Sequence, residues 1–258
     1  MILEEFDASE SAVINPWDLI QPVAGMPQIA IACYAHTTFD RIVGELKAVI
    51  LAESSSANGV TPIYKAVVGG MELALFMIDV GAPMSVGMLE EVFQMGVQKV
   101  IVFGTCGVLQ RKIEDCSVII PDAAVRDEGT SYHYAAPAEE IRVNEKYMDV
   151  LRELLEEWKV KYTVGKVWTT DAFYRETKDK VERRKKQGCV CVDMECSANA
   201  AAAQFRGKDL VQFFYAADNL DGEQWEARSL GNHEKLEEKD RIAAIALELA
   251  KRISELPG

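Results

Sequence analysis

Three groups of residues in this chain of 258 residues have side chains and spacings suited to chemistry on a small ligand. Residues 104–107 read Gly-Thr-Cys-Gly and follow the apolar run 99–103. Two glycines around a hydroxyl residue can present backbone N–H groups to an anion or to a ribose. A tight turn is the alternative for Gly104, Thr105 and Cys106, because glycine-rich strand exits are common.

The second group is the segment 193–195, in which two carboxylates flank Met194 at the predicted end of a strand and start of a helix. Strand alternation places Asp193 and Glu195 on one face and Met194 on the other. Exposed carboxylates at such a point can bind sugar hydroxyls. A structural role is equally open for Glu195, because the helix dipole stabilises a carboxylate in the first turn of a helix.

The third group is a single acid, Asp218, which comes directly after the apolar run 211–217. Ligands of open parallel sheets bind outside the carboxyl ends of the strands, so this acid would lie at the rim of a ligand site. Burial there would raise its pKa, which is frequent among functional acids. An Asx-turn before Asn219 explains the same residue without any function.

The remaining polar clusters are more typical of structural roles than of a catalytic or metal site. Cys189 and Cys191 share a strand face, but none of the three histidines stands at a spacing typical of a zinc site, so we predict buried cysteines and no metal. The charged run 181–186 is typical of a solvated helix face. Residues 126–131 are richer in functional groups than an ordinary loop, and their types alone assign no roles.

The charge of the whole chain limits its partners. Twenty-eight Lys and Arg residues stand against 41 Asp and Glu residues, which gives a net charge of −13. Such a charge repels nucleic acid and anionic membranes, so we predict neither as a partner, whereas a local field can still admit a small anion. The chain shows no signal-peptide pattern, no spanning apolar run and no dense cysteine framework, which predicts a cytoplasmic protein.

Apolar runs alternate with helical patterns through most of the chain. This alternation predicts a single α/β domain over residues 28–258, with a central, mostly parallel (mixed) sheet flanked by helices. Residues 1–27 contain three of the eight prolines and predict an N-terminal arm, reaching a neighbour or disordered. The predicted strands are 28–33, 71–79, 99–103, 117–121, 162–169, 189–194 and 210–216; the predicted helices are 39–53, 85–95, 144–158 (capped by Asn144), 174–187, 197–205 and 235–256.

Taken in order, these motifs resemble the nucleoside phosphorylase family, of the purine nucleoside and uridine phosphorylase type. The resemblance runs from residue 28 to the terminal helix, and its specific part is a combination of six segments. They are residues 81–83 (Gly-Ala-Pro), 104–107 (Gly-Thr-Cys-Gly), 126–129 (Arg-Asp-Glu-Gly), 171–174 (Asp-Ala-Phe-Tyr), 193–195 (Asp-Met-Glu) and Asp218.

The resemblance implies roles for individual residues. Met194 matches the methionine that packs on the sugar, and Glu195 matches the glutamate that accepts hydrogen bonds from ribose hydroxyls. Phe173 matches the aromatic residue that stacks on the base. Asp218 follows Glu195 by 23 residues, the interval to the general acid of purine-specific members, which protonates N7 of the leaving base. Thr105 matches the hydroxyl residue that binds phosphate.

The resemblance also implies a reaction and an assembly. We expect an enzyme that cleaves purine-type nucleosides by phosphorolysis, with phosphate as co-substrate and no metal or organic cofactor. Arg126 or His133 would help Thr105 to place the phosphate. The family further implies a homo-oligomer, either a dimer or a hexamer. We expect uridine to be a poor substrate, because the glutamine and arginine that contact uracil would fall near Thr177 and Asp179.

Two departures from the family pattern leave the nucleophile open. Residues 34–38 lack the arginine and glycine of the usual phosphate loop, and Val102 stands where an arginine is usual. Such arginines form strong charge-assisted pairs with phosphate. A hydrolytic nucleosidase of the same fold is therefore the first alternative, although residues 34–38 also lack the acid of that class; His36 would serve either purpose. A nucleoside-binding relative without catalysis is the second alternative.

Overall fold

The computed structural model describes residues 2–231 and 233–256, and in this part of the chain the ten strands and seven α-helices alternate. The strands are β1 (Ile29–Cys33), β2 (Val49–Ser56), β3 (Gly59–Val68), β4 (Met71–Met77), β5 (Lys99–Val108), β6 (Val118–Asp127), β7 (Glu140–Arg142), β8 (Tyr162–Thr170), β9 (Cys189–Asp193) and β10 (Asp209–Asn219). The helices are α1 (Pro16–Leu19), α2 (His36–Glu45), α3 (Ala82–Met95), α4 (Met148–Glu157), α5 (Lys178–Lys186), α6 (Cys196–Phe205) and α7 (Leu236–Ser254).

All ten strands belong to one mixed sheet in the order β10-β6-β8-β9-β5-β1-β4-β3-β2, with β7 paired to β6. Strand β10 pairs in parallel with β5 as well as antiparallel with β6. Strands β5, β9, β8, β6 and β10 therefore close into a ring, while β1 to β4 extend the sheet to one side. This arrangement confirms the predicted single α/β domain with a mixed sheet flanked by helices.

Helices cover both faces of the sheet. Helix α7 turns one apolar stripe inward, with Ile242, Ile245, Leu249 and Ile253 buried at the spacing of a helical face. It packs with α2 and α4 on one side of the sheet. Helices α3 and α6 pack together on the opposite side. The parallel strands between these layers are buried on both faces, which explains runs such as β1, where all five residues are buried.

The predicted helix over residues 39–53 is wrong in its second half. Helix α2 covers His36–Glu45, and Lys47 then adopts a left-handed φ of 49° that ends it. Residues 49–56 form β2, which pairs antiparallel with β3. The apolar spacing continues across this boundary, but the β-branched residues Val49 and Ile50 favour a strand, and pairing with β3 decides the outcome.

The predicted N-cap at Asn144 is also wrong. Asn144 has a left-handed φ of 62°, and α4 begins at Met148. Its amide nitrogen donates to the carbonyl oxygens of Pro121 (2.9 Å) and Gln212 (2.7 Å), and its amide oxygen accepts from Gln212 N–H at 2.7 Å. The side chain therefore joins β6 to β10 instead of opening a helix.

Strands β5 and β10 both run past their predicted ends. Thr105 pairs with Tyr215, and Asp218 pairs with Gly107 after a register shift that follows Ala216. Neither the tight turn nor the Asx-turn considered for these positions is present, because the residues lie inside paired strands. The irregularity beside Asp218 is of the kind that re-aims a side chain next to a site.

The N-terminal segment lies against the domain. The N–H of Val23 donates to the carbonyl oxygen of Met95 at 3.0 Å, and Ile20 and Met26 pack on the core cluster that includes α3. The guanidinium of Arg206 lies 5.9 Å from the ring centroid of Trp17. The boundary at residue 27 stays a prediction, and residues 1, 232, 257 and 258 of the two predicted units lie outside the described residues.

Residues 2–231 and 233–256 contain no membrane-spanning helix, no metal-binding cluster and no disulfide. No helix there is long and apolar enough to cross a membrane. No group of three or more His, Cys, Asp or Glu side chains there could hold a metal ion. The six cysteines are all unpaired, and Cys189 and Cys191 are buried in the sheet.

Candidate active site

Glu195 lies where β9 passes into α6, at the N-cap position of that helix. The side chain is 7% exposed, and its Oε1 accepts a hydrogen bond of 2.5 Å from the N–H of Gly81. Gly81 begins α3 with a φ of 100°, a conformation that favours glycine. Two separate sequence motifs therefore meet at this carboxylate. A carboxylate can accept about four hydrogen bonds, so Glu195 keeps capacity for ligand hydroxyls.

Asp193, the last residue of β9, has a different task. Its Oδ2 accepts from the N–H groups of Glu195 (3.0 Å) and Cys196 (2.7 Å), and its Oδ1 accepts from the hydroxyl of Thr169 at 2.7 Å. These bonds hold the first turn of α6 and orient Glu195. Of the two predicted carboxylates, Asp193 is the positioning residue and Glu195 has capacity left for a ligand.

Burial disfavours the ionised form of both carboxylates, Asp193 and Glu195. It raises the pKa of Asp193, although three hydrogen bonds to its charged form oppose the shift. Burial raises the pKa of Glu195, and the nearby charge of Asp193 raises it further. Hydroxyl groups that donate to Glu195 would offset this cost, as a ribose would do.

Asp218 is half-buried at the end of β10. It lies against Gly107. A Cβ atom added to Gly107 would be 3.2 Å from Oδ1 of Asp218 and 2.4 Å from the side chain of Leu220, so only glycine fits at that position. The indole N–H of Trp225 donates to Oδ2 at 2.7 Å. Burial raises the pKa of Asp218, while Trp225 and the charge of Arg228 oppose the shift. An acid in this state is suited to hold a proton and donate it.

Glu176 is a second acid at this place, and the sequence reasoning missed it. Burial and then the charge of Asp218 raise the pKa of Glu176 to about 7. Asp218 and Glu176 are therefore close enough to compete for ionisation. A signal was available, because Glu176 follows Phe173 by three residues in a motif already singled out.

The segment after β8 carries the predicted base-stacking residue. Phe173 is 49% exposed, and its ring centroid lies 4.0 Å from that of Tyr174. Asp171 accepts from the N–H of Gly129 at 3.0 Å, and its charge contributes to the raised pKa of Glu195. The two ends of this segment therefore interact with different acids of the site. Glu176 interacts with Asp218, and Asp171 interacts with Glu195. Met194 is half-buried beside them.

Thr105 borders a small cavity of about 70 Å³. Its lining residues come from the segment after β1 and from α2, β5, β10 and α7, and they include Tyr34, Thr37, Thr38, Thr105, Tyr215 and Lys239. Gly104, the neighbour of Thr105, leaves room for Tyr34, whose Cδ2 would lie 2.9 Å from an added Cβ. The side chain of Cys106 is buried in the core with Cys191 and Cys196, so the substrate-binding role predicted for it is not available to its thiol.

The two predicted helpers of Thr105 lie elsewhere. The guanidinium of Arg126 donates to the hydroxyl of Ser131 (2.8 Å) and to the carbonyl oxygens of Ala136 (2.7 Å) and Ala135 (3.0 Å). His133 is exposed. Neither Arg126 nor His133 lines the cavity around Thr105. Arg126 instead organises the loop that follows β6.

A larger cavity lies outside the site. It measures about 590 Å³ and is formed by α7 and the segments 114–117 and 158–161. It contains none of the predicted site residues. Its wall mixes acidic, basic and apolar side chains without a cluster aimed at one ligand. The small cavity at Thr105 and the carboxylates at the carboxyl ends of the strands together are the better candidate for chemistry.

Comparisons with known proteins identify the family of the chain. Residues 29–255 match the family described as the phosphorylase superfamily. A guanosine phosphorylase of Halorubrum lacusprofundi is 28% identical over 60% of this chain, and the match spans 65% of that protein, just under two thirds. A DeoD-type purine nucleoside phosphorylase of Alkaliphilus metalliredigens is 28% identical over 75% of this chain and 80% of its own length.

The solved structures point the same way. A uridine phosphorylase of Vibrio fischeri ES114 superimposes with a TM-score of 0.73 at 25% identity, over 93% of this chain and 95% of the other. A second structure of that enzyme, with 6-hydroxy-1-naphthoic acid, gives a TM-score of 0.74 at 26% identity over 93% and 94%. The family match covers nearly all of the domain, and the chain belongs to the phosphorylase superfamily.

Proposed function

We propose that this protein cleaves the N-glycosidic bond of purine-type nucleosides by phosphorolysis, giving a free base and ribose 1-phosphate. The observation that carries the proposal is Asp218, a half-buried acid with a raised pKa at the end of β10 beside Gly107. Departure of a purine is easier when the base is protonated, and a carboxyl group positioned beside the base can deliver that proton.

In the proposed reaction, an oxygen of phosphate forms a bond to C1′ of the ribose while the bond from C1′ to the base nitrogen breaks. The electron pair of that bond moves into the base, and Asp218 donates its proton to N7; solvent then returns a proton to Asp218. Glu195 accepts hydrogen bonds from the ribose hydroxyls, Met194 packs on the sugar and Phe173 stacks on the base. Thr105 contacts the phosphate.

Two observations support a purine over uridine. The two sequence relatives named above are a guanosine and a purine nucleoside phosphorylase, whereas the superimposed structures are of a uridine phosphorylase. At the positions whose side chains contact uracil elsewhere in the family, this chain has other residues. One of them is Thr177, whose hydroxyl accepts from Lys180 N–H at 3.4 Å and caps α5. Asp179 lies in the first turn of the same helix and is exposed. Neither side chain reproduces an amide and a guanidinium aimed at a pyrimidine.

We also propose that the protein assembles as a homo-oligomer, either a dimer or a hexamer. Strands β2 and β3 support an interface between subunits, because four apolar side chains on them are more than half exposed: Val49, Ile50, Val60 and Val67. Sedimentation velocity tests this proposal. A single species at the monomer mass would contradict it.

Hydrolysis is the second candidate, since residues 34–38 and position 102 lack the usual arginines. One experiment separates the candidates: inosine, guanosine, adenosine, methylthioadenosine and uridine are each incubated with and without phosphate, and base release is followed. We expect release from purine nucleosides only, and only with phosphate. Equal rates without phosphate would establish hydrolysis, and a preference for uridine would overturn the assignment of Asp218.

A further inference from the structure

Lys239 is a buried cation that the proposed reaction has not used. It lies in the first turn of α7 and is 4% exposed. Its ammonium group donates to the carbonyl oxygens of Ser229 at 2.9 Å and Gly231 at 2.7 Å. An ammonium group has three N–H donors, so one remains after these two bonds. The same side chain lines the cavity around Thr105.

The charge of Lys239 has no acidic counterpart in the described part of the chain. No carboxylate among these residues lies within 4.0 Å of its Nζ, whereas most other buried or half-buried cations have one; Arg206, for example, pairs with Glu90 at 2.8 Å. The residues that line the Thr105 cavity include no acid. A buried charge without an opposite charge is unfavourable, and a bound anion would remove that cost.

A second, independent feature of the cavity is an unused hydroxyl. Tyr215 is 1% exposed and lines the cavity, and its Oη is buried without a hydrogen-bond partner in the described residues. Leaving a buried hydroxyl unpaired is costly, so an oxygen of a bound ligand would be a favourable partner for it. Register places Tyr215 directly beside Thr105 on the neighbouring strand, which brings two hydroxyl groups to one wall.

The opposite wall is the start of α2. Its N-cap residue is Ala35, which offers no side-chain cap, and Thr37 and Thr38 from its first turn line the cavity. The first backbone N–H groups of a helix lack partners within the helix and favour anions. The cavity volume of about 70 Å³ suits one small oxyanion, since a single water needs roughly 10–15 Å³.

We infer that Lys239, Tyr215 and Thr105 form the phosphate-binding site of this chain, with Lys239 supplying the positive charge that the missing arginines supply elsewhere in the family. The inference rests on the proposed phosphorolysis. It supplies a cation for the oxyanion although residues 34–38 and Val102 lack arginine, because Lys239 lines the Thr105 cavity from α7. Its charge and the hydroxyl groups bind the oxyanion and hold it for attack on C1′.

The test compares the KM for inorganic phosphate with the KM for inosine in the wild type and three variants. Lys239→Met should raise the KM for phosphate by about 10- to 100-fold, the effect of losing one charged hydrogen bond, and should change the KM for inosine by less than about 3-fold. Lys239→Arg should recover part of the loss. Lys112→Met, at an exposed position of the loop after β5, is the matched control and should behave as the wild type.

Lys239 also ties down residues 229–231, so Lys239→Met can lower stability for reasons unrelated to phosphate. Tyr215→Phe avoids this problem, because the lost hydroxyl has no hydrogen-bond partner among residues 2–231 and 233–256. It should keep the wild-type melting temperature, raise the KM for phosphate by about 3- to 10-fold and reduce the melting-temperature increase caused by added phosphate.

The outcomes are distinct. Unchanged phosphate KM values in Lys239→Met and Tyr215→Phe, with a phosphate-dependent wild type, would overturn the assigned site and leave the proposed function standing. Base release by the wild type at the same rate without phosphate would overturn phosphorolysis itself. A rise in phosphate KM in both variants, with inosine KM little changed, would support the site.

Discussion

The carboxyl ends of the strands form two regions of opposite character. Around β9 and β10 lie two pairs of interacting acids, Asp193 with Glu195 and Asp218 with Glu176, and burial raises the pKa of each. Around Thr105, the lining residues include no acid and one buried cation. A neutral nucleoside donates hydroxyl protons, which carboxylates accept, whereas phosphate needs positive charge and hydrogen-bond donors. The contrast is the basis for the proposed division of the site between a nucleoside and phosphate.

This division changes what the charge of the chain means. A net charge of −13 describes the average of all residues, and the prediction that no nucleic acid is a partner rests on it. The net charge does not describe the local charge of the cavity around Thr105, where Lys239 is the charged residue among the described lining residues. The two regions can be tested separately, and variants of the acidic region should affect the nucleoside while leaving phosphate unaffected.

The largest effect is expected from Asp218→Asn. The amide cannot donate a carboxyl proton to the base, so kcat/KM for inosine should fall by about 100- to 10,000-fold, the usual contribution of a general acid. The KM for phosphate should stay near the wild-type value. Steady-state kinetics with both substrates varied measures these quantities.

A matched substrate sharpens the test of Asp218. A purine nucleoside methylated at N7 carries its positive charge before the reaction, so it needs no proton at that atom. Asp218→Asn should cleave this substrate within about 10-fold of the wild-type rate. An equal loss on inosine and on the methylated nucleoside would assign Asp218 to binding or structure.

Glu195→Gln should give the next largest effect. Glutamine still accepts from the Gly81 N–H, but it binds ribose hydroxyls without the charge, which predicts a loss of about 10- to 100-fold in kcat/KM for inosine. The loss should shrink with 2′-deoxyinosine, because one hydroxyl donor is absent. A loss of the same size on both nucleosides would argue against contact with that hydroxyl.

Phe173→Ala should have a smaller effect that concerns the base alone. Stacking of a base on an aromatic ring contributes about 1–3 kcal/mol, so the KM for inosine should rise by roughly 5- to 100-fold. Phe173 is half exposed and contacts Tyr174, so the melting temperature should change little. Tyr174→Ala is the matched control, and an equal rise in its KM would move the stacking role to the neighbouring ring.

The smallest effect should come from Glu176→Gln, as a pH dependence of stability. The pKa of Glu176 is about 7 in the folded protein and about 4.3 in an unfolded chain. The folded state thus holds this proton more tightly, and the wild type loses the associated stability as pH rises towards 7. Glutamine does not titrate, so the melting temperature of the variant should gain on the wild type between about pH 5 and about pH 8.

An exposed glutamate of α4 provides the control for this pH series. Glu153→Gln should keep a constant difference from the wild type across the same pH range. A constant difference for Glu176→Gln as well would show that Glu176 is not held near Asp218, and the acidic region would then be less crowded than described.

The sequence was sufficient for the fold class and for much of the acidic region. Alternating strands and helices predicted a mixed α/β sheet, and the motifs around Glu195 and Asp218 lie at strand ends as expected. The predicted bounds of individual elements were wrong where pairing between strands outweighed the local sequence pattern. Residues 49–53 continue an apolar helical spacing, yet they pair as a strand with β3. Asp218 resembled a loop residue because the register shift before it is invisible in the sequence.

The cationic region could not be predicted in the same way. Thr105 belongs to a recognisable motif, but Lys239 is one charged residue among many in the terminal helix, and nothing local distinguishes it. Its burial depends on how α7 packs across β5 and β10. Arg126 is the opposite case. It belongs to one of the sequence motifs, yet its guanidinium donates hydrogen bonds to residues of the loop after β6.

The division between the two regions is tested most directly by one bisubstrate experiment on the wild type, Glu195→Gln and Lys239→Met. KM values for inosine and for inorganic phosphate are measured together in each protein. We predict that Glu195→Gln raises only the KM for inosine and that Lys239→Met raises only the KM for phosphate. Variants that each raise both constants equally, or that exchange these effects, would contradict the division.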